Sequence, residues 1–189
     1  MRPLCWLGAA AVLLVAASGQ VRADFMVSHT WANGDPVEPQ RLFRDAIPSV
    51  FTSMKSFPGT INEADFYQTY DLFNPNNSPT PVFITVTSDF QSFGSIYLDS
   101  FNPNNLAMNY LGDAGVSGNS TFSITAPADA HLVLVVNSID GTGSASLGHS
   151  YTVSVTGADP VPEPSTLTLL GIGTLGLAAY GWRRRRAAT

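Results

Sequence analysis

Apolar residues along this chain follow three rhythms: a solid block near the start, alternation through the middle and a second solid block near the end. The alternating part begins at Ile61. Residues 64–73 place Phe66, Tyr70 and Leu72 in phase. Residues 82–88 read Val-Phe-Ile-Thr-Val-Thr-Ser, rich in the β-branched side chains that suit a pleated surface. Residues 94–101 carry Ile96 and Leu98, residues 120–125 carry Phe122 and Ile124, and residues 131–137 hold the buried-looking run Leu-Val-Leu-Val-Val. Residues 148–156 alternate through Tyr151, Val153 and Val155. Between these runs stand turn formers: Asn74-Pro75-Asn76-Asn77, Asn102-Pro103-Asn104-Asn105, Ala126-Pro127-Ala128-Asp129 and Asp140-Gly141-Thr142-Gly143. Short alternating strands with such turns, and no helical period, predict an all-β body: an antiparallel β-sandwich or its jelly-roll variant.

The two apolar blocks frame this body. Residues 7–17 are uncharged and apolar, follow Arg2, and lead to Val21-Arg22-Ala23. That is the layout of a secretory signal peptide over residues 1–23, cut after Ala23 to leave Asp24 as the new N-terminus. Cuts after Ala17 or Gly19 fit less well. Cys5 lies ahead of the apolar run, so it is no lipid-anchoring cysteine. The second block, residues 165–182, is an uncharged stretch of 18 residues. As a helix it would span roughly 27 Å, just enough for a hydrocarbon core. Tyr180 and Trp182 fall at the interface, and Arg183, Arg184, Arg185 and Arg186 form a cytoplasmic stop signal. Pro162 and Pro164 cannot lie inside a helix, so Pro162-Glu163-Pro164 sits extended just outside the bilayer.

Residues 24–60 are the least regular part. They hold Pro36, Pro39, Pro48 and Pro58 and the turn Asn33-Gly34-Asp35. Residues 25–31 read either as a first strand or as a loose mature N-terminus. Ile47, Val50, Phe51 and Met54 are expected to tuck against the body. The division is therefore a signal peptide at 1–23, an irregular segment at 24–60 packing on the body, a β-sandwich domain at 61–158 and a sorting tail at 159–189.

Charge narrows the partners. All 14 acidic residues lie between Asp24 and Glu163, against only Arg41, Arg44 and Lys55 in the same stretch. Such an acidic body disfavours nucleic acid and anionic surfaces. With Cys5 as the only cysteine, the body has neither a disulfide nor a thiol nucleophile.

Candidate chemistry is thin. No nucleophile elbow, zinc-protease helix, phosphate loop or dinucleotide fingerprint is present. His29, His131 and His149 read as strand-end or surface residues, and a serine triad built on one of them has no local signature. Asp99, Asn102 and Asp113 form a weak Ca²⁺ candidate, but turn formation explains the asparagines, and no cofactor or metal is expected. Asn-Pro-Asn-Asn occurs twice after a phenylalanine, at Phe73 and at Phe101. If both turns fall at one end of the sandwich they make a polar rim. The dense aromatic set Phe57, Phe66, Tyr67, Tyr70, Phe73, Phe90, Phe93, Tyr97, Phe101 and Tyr110 would stack on sugar rings if several members were exposed on one sheet face, though core filling explains most of them. No regular threonine array stands out along the chain.

The tail, with Pro162-Glu163-Pro164, the apolar span and the arginines in that order, resembles the PEP-CTERM sorting signal of exported bacterial proteins. The resemblance implies signal peptidase and exosortase as processing partners. It implies an inner-membrane-anchored precursor and a final place at the cell surface or outside. The body resembles bacterial pre-peptidase C-terminal type domains through Glu63-Ala64-Asp65-Phe66-Tyr67, Ala126-Pro127-Ala128-Asp129 and Tyr151-Thr152-Val153-Ser154-Val155. Such domains are small extracellular sandwiches, usually accessory or binding modules. The chain is thus expected to be a processed substrate, not an enzyme, with a structural or adhesive body. A carbohydrate-binding module for an extracellular polysaccharide is the first alternative. A cryptic secreted hydrolase is the second.

Overall fold

The computed structural model describes residues 24–142 and 145–161. The predicted signal peptide, the Pro-Glu-Pro element, the predicted span at 165–182 and the arginine cluster lie outside the described residues. Within them there is no helix. Twelve strands occur: β1 (Phe25–Thr30), β2 (Val37–Glu38), β3 (Arg41–Leu42), β4 (Thr60–Ile61), β5 (Asp65–Phe73), β6 (Thr80–Ser88), β7 (Ser92–Leu98), β8 (Tyr110–Asp113), β9 (Ser120–Ala126), β10 (His131–Ser138), β11 (Ser150–Thr156) and β12 (Asp159–Pro160).

The pairing is nested. β1 pairs with β11, β5 with β10, β6 with β9, and β7 with β8, all antiparallel. The chain thus behaves as one long hairpin rolled up on itself, which is the topology of a jelly roll. It produces a first sheet in the order β1-β11-β6-β9 and a second in the order β12-β5-β10-β7-β8, with β2 also on β5. Strand alternation then decides the core. Val82, Ile84 and Val86, with Phe122, Ile124, Val153 and Val155, face Leu72, Ile96, Leu132, Leu134 and Val136 of the other sheet. Each such side chain, removed from water, contributes about 1.5–3 kcal/mol before entropy is counted.

The expected strands all form, with shifted ends. The strand expected over 94–101 runs instead from Ser92 to Leu98, because Asp99 turns into the left-handed region at φ 61°. Setting residues 24–60 apart from the sandwich misplaces β1, which is a full strand of the first sheet in register with β11 from Phe25↔Val155 to Thr30↔Ser150. Its inner positions are only half-buried, so its pattern is faint. The partner strand lies over a hundred residues away. The rest of that segment does lie over the body as a strap. It seals the two sheet edges that meet at β8 and β9: Ser49 donates its N–H to Asp113, accepts from Ser123, and Phe51 donates to Ser123 Oγ.

Both Asn-Pro-Asn-Asn turns do fall at one end of one sheet. Phe73 lies opposite His131, and Asp99 donates its N–H to the carbonyl of His131. Each turn is closed the same way, by Asn74 Oδ1 accepting from Asn76 N–H at 3.2 Å and Asn102 Oδ1 from Asn104 N–H at 2.9 Å.

Candidate functional site

The second sheet carries a cleft on its outer face. β5 turns Tyr67, Thr69 and Asp71 outward, β10 opens with His131, and the loop after β7 folds Asp99 and Phe101 back over them. The cleft holds about 400 Å³. Beneath it Tyr97, Val133 and Val135 form a small buried cluster, on which the half-buried Tyr67, Phe101 and Tyr110 pack. Tyr67 and Phe101 meet edge to face with ring centres 5.3 Å apart, and Tyr97 and Phe101 are tilted against each other at 4.9 Å.

Polar groups border these rings. His131 Nδ1 lies 2.9 Å from the carbonyl of Asp99. A carbonyl only accepts, so Nδ1 carries the proton and the ring is fixed. Its Nε2 faces Asp71 Oδ1 at 3.4 Å. Aromatic surface flanked by a carboxylate, an imidazole and a threonine hydroxyl is able to stack on an apolar ring face and to hydrogen-bond the groups around it.

Of the three body cations, Arg41 and Lys55 are paired with carboxylates inside the fold, and the half-buried Arg44 binds neutral groups. Arg41 is bound to Glu63 at 2.6 Å and lies 3.4 Å from the fully buried Asp65. Lys55 reaches Asp45 at 2.8 Å and the fully buried Asp113 at 2.7 Å, while Tyr110 donates its hydroxyl to the other oxygen of Asp113. Arg44 donates to Ser117 at 2.6 Å and Gln91 at 3.1 Å. Each pins the strap to the body. The outer surface is left acidic.

Beside Arg41, β2 brings Glu38 directly opposite Asp65. Burial first, and then the Asp65 charge, push the Glu38 carboxyl up to about 9, against the pull of Arg41 and the hydrogen bond that Asn137 donates. Burial and the Glu63 charge push Asp65 up to about 7. Sequence reading missed this network. The signal was available: every cation of the body falls between residues 41 and 55, opposite an acidic remainder.

The candidate Ca²⁺ residues are not brought together. Asp113 lies opposite Ser95, four positions from Asp99, or about 13 Å along the strand. Its oxygens serve Lys55, Tyr110 and the N–H of Gly115. Asn102 Oδ1 is used by its own turn. Among the described residues no group of three or more His, Cys, Asp or Glu is placed to hold a metal. The histidines also lie apart: His29 pairs with Asp35, His131 with Asp71, and His149 with Asp89 while stacked on Phe90. No serine or threonine hydroxyl among the described residues is hydrogen-bonded to any of the three rings.

Ala23 lies outside the described residues, and Asp24 precedes β1. The sorting segment begins where the fold ends. Gly157, at φ 98°, turns the chain from β11 across to β12; a Cβ there would stand 2.2 Å from the carbonyl oxygen of Pro81. β12 then lies on β5, and Val161 donates its N–H to Asp71 at 3.1 Å. Pro162 follows at once.

No curated protein matches the chain. Residues 160–186 match the family model of the PEP-CTERM protein-sorting motif. The match starts inside β12, the last strand of the second sheet, and covers none of the other strands. The chain is therefore a PEP-CTERM-containing protein, exported and addressed to exosortase by its tail.

Proposed function

We propose that this protein is an adhesive or structural component of an extracellular layer, and that its body holds polysaccharide in the cleft of the second sheet. The observation that carries this reading is the juxtaposition of Tyr67 and Phe101 with Asp71, His131 and Thr69 in one open cleft. The acidic surface, with two of the body's three cations paired to carboxylates, favours a neutral or cationic glycan over an anionic one. The body's resemblance to accessory binding modules points the same way. In this reading the precursor is anchored in the inner membrane by the tail. Signal peptidase and exosortase act on it, and the body ends at the surface or outside. The chain is then a substrate of processing and not a catalyst.

Affinity electrophoresis of the exported protein tests this. Gels containing a neutral glucan or a cationic glucosamine polymer are expected to retard it, and gels containing an acidic polymer are not. Replacing Phe101 and Tyr67 by Ala should weaken binding about tenfold or more, equivalent to roughly 1.4 kcal/mol. Equal migration in every gel, or retardation unchanged by the double substitution, would sink the proposal.

A further inference from the structure

The chain has a single lysine, Lys55, and the fold leaves its side chain only 8 % exposed. The strap carries it to the end of β8. There its Nζ stands 2.7 Å from Oδ1 of Asp113, whose side chain has no exposed surface. Nζ also donates to Asp45 Oδ1 at 2.8 Å and to the carbonyl of Ile47 at 2.5 Å. Asp113 is held on both oxygens. Gly115 donates its N–H to Oδ1 at 2.6 Å, and Tyr110 donates its hydroxyl to Oδ2. Ser49 fixes the backbone of Asp113 twice over, accepting its N–H on Oγ at 2.9 Å and donating its own N–H to the Asp113 carbonyl at 2.9 Å. Amine and carboxyl group are therefore pressed together from both sides.

An amine and a carboxyl group can condense to an amide, and in water three obstacles stop them. The amine carries a proton in place of a lone pair, the carboxyl carbon resists more negative charge on its oxygens, and hydroxide leaves badly. A base on the amine, a hydrogen-bond donor on one carboxyl oxygen and an acid on the other remove these obstacles in turn. All three surround this pair. Asp45 is the base on Nζ, the Gly115 N–H is the donor on Oδ1, and the Tyr110 hydroxyl is the acid on Oδ2. The carbon to be attacked is one bond beyond Oδ1. Holding the two groups in contact replaces a chance encounter by an effective concentration on the order of 10⁵ M or more.

We propose that the folded protein joins Lys55 to Asp113 through an intramolecular amide bond, with Asp45 as base and Tyr110 as acid. Nζ gives one proton to Asp45 and its lone pair forms the N–C bond to Cγ, pushing an electron pair onto Oδ1. The nitrogen gives its second proton to Oδ2, and Tyr110 adds its hydroxyl proton there. The C–Oδ2 bond breaks, Oδ1 returns its electron pair, and Oδ2 leaves as water. The proton held by Asp45 restores Tyr110. A hollow of about 320 Å³ bordered by Asp45, Ile47, Ser49 and Lys55 lets the water out. The bond ties the strap to β8 in a body that has no cysteine for a disulfide, and reduction does not break it. This inference does not depend on what the cleft binds.

Intact mass and digestion of the denatured exported protein test it. With one lysine in the sequence, lysyl endopeptidase cuts an unlinked chain once, after Lys55, and does not cut where Nζ is acylated. The wild-type chain should be lighter than its sequence by one water and stay in one piece. Asp113→Ala should show the full mass and be cut. Tyr110→Phe and Asp45→Asn keep both bonding partners. Timed from cell-free synthesis of the full chain in detergent, each should slow the appearance of the lighter species by about 10²-fold or more. Full mass with cutting at Lys55 overturns the bond and leaves an ion pair in its place. A lighter chain that is still cut overturns it too, since its water was lost elsewhere. Equal rates in the wild type and both variants overturn the roles given to Asp45 and Tyr110.

Discussion

The two outer faces of the sandwich were made by the same alternation and ended differently. On the first sheet the outward positions are mostly hydroxyls, with Met26 and Phe83 as exposed apolar exceptions: Ser28, Thr152 and Thr87 share one row, and Ser154, Thr85 and Thr121 the next. Ser28 and Thr152 are bonded at 2.7 Å, Thr30 and Ser150 at 2.9 Å, and Thr85 and Thr121 at 3.1 Å. Most of this face stays open to solvent. On the second sheet the outward positions are mostly aromatic, aliphatic or charged, with Thr69, Ser95 and Asn137 among them, and the strap and the loop after β7 cover much of that face. Hydroxyl side chains satisfy one another and water at little cost. Tyr97, Val133 and Asp113 cannot, so they need a cover, and the cover needs the body's few cations. The cleft exists because that cover stops short of Tyr67 and His131. The difference teaches that in this fold binding potential follows incomplete covering of an apolar face, not exposure as such.

The largest break in that contrast should come from Lys55. Lys55→Met leaves the Asp113 carboxylate buried with only the Tyr110 hydroxyl and the Gly115 N–H for partners. Stranding a buried charge costs about 3–5 kcal/mol. Thermal unfolding should fall by roughly 10 °C or more. Adding Asp113→Asn removes the stranded charge and should recover part of the loss. A melting curve unchanged by Lys55→Met would mean that the strap is held by its apolar contacts alone.

A smaller effect should separate the faces by pH. Glu38 and Asp65 lie at the covered side, and both have carboxyls raised above their ordinary values. The folded state therefore binds their protons more tightly than the unfolded chain does. Their contribution to stability is complete below the ordinary carboxyl range and is lost as pH rises toward about 9, the value to which Glu38 is pushed. The midpoint of thermal unfolding should fall between pH 5 and pH 9, read on scales of a few degrees. Glu38→Gln should flatten that slope, since an amide has no proton to lose. A slope that Glu38→Gln leaves intact would place the pH response elsewhere.

Much of this was legible along the chain, and the reasons are local. The period-two runs at 82–88 and 148–156 announce their strands because their inward residues are Val and Ile and their outward ones Ser and Thr. The two Asn-Pro-Asn-Asn turns are equally plain, since Asn74 and Asn102 cap their own backbones. What stayed hidden depends on register between distant segments. No strand shows a regular threonine array alone; the hydroxyl rows arise only when β1, β11, β6 and β9 lie side by side. Tyr67, Phe101 and His131 are far apart in sequence and converge only through β10. Tyr110 to Asp113 is too short to read as a strand, and Glu38 in a proline-rich stretch gave no hint of burial opposite Asp65.

The smallest effect, and the sharpest test of the contrast, belongs to the hydroxyl face. Thr152→Val keeps the β-branched shape that favours a strand and removes the oxygen 2.7 Å from Ser28. Ser28 is exposed, so its hydroxyl turns to water and no buried group is stranded. Stability should change by no more than about 0.5 kcal/mol. Retardation in glycan gels should be the same as for the unsubstituted protein. If Thr152→Val and Thr85→Val together abolish retardation while Phe101→Ala does not, the roles of the faces are exchanged. The ligand would then lie on the hydroxyl rows, read by repeated hydrogen bonds, and the aromatic cleft would be no more than the unfinished edge of a cover.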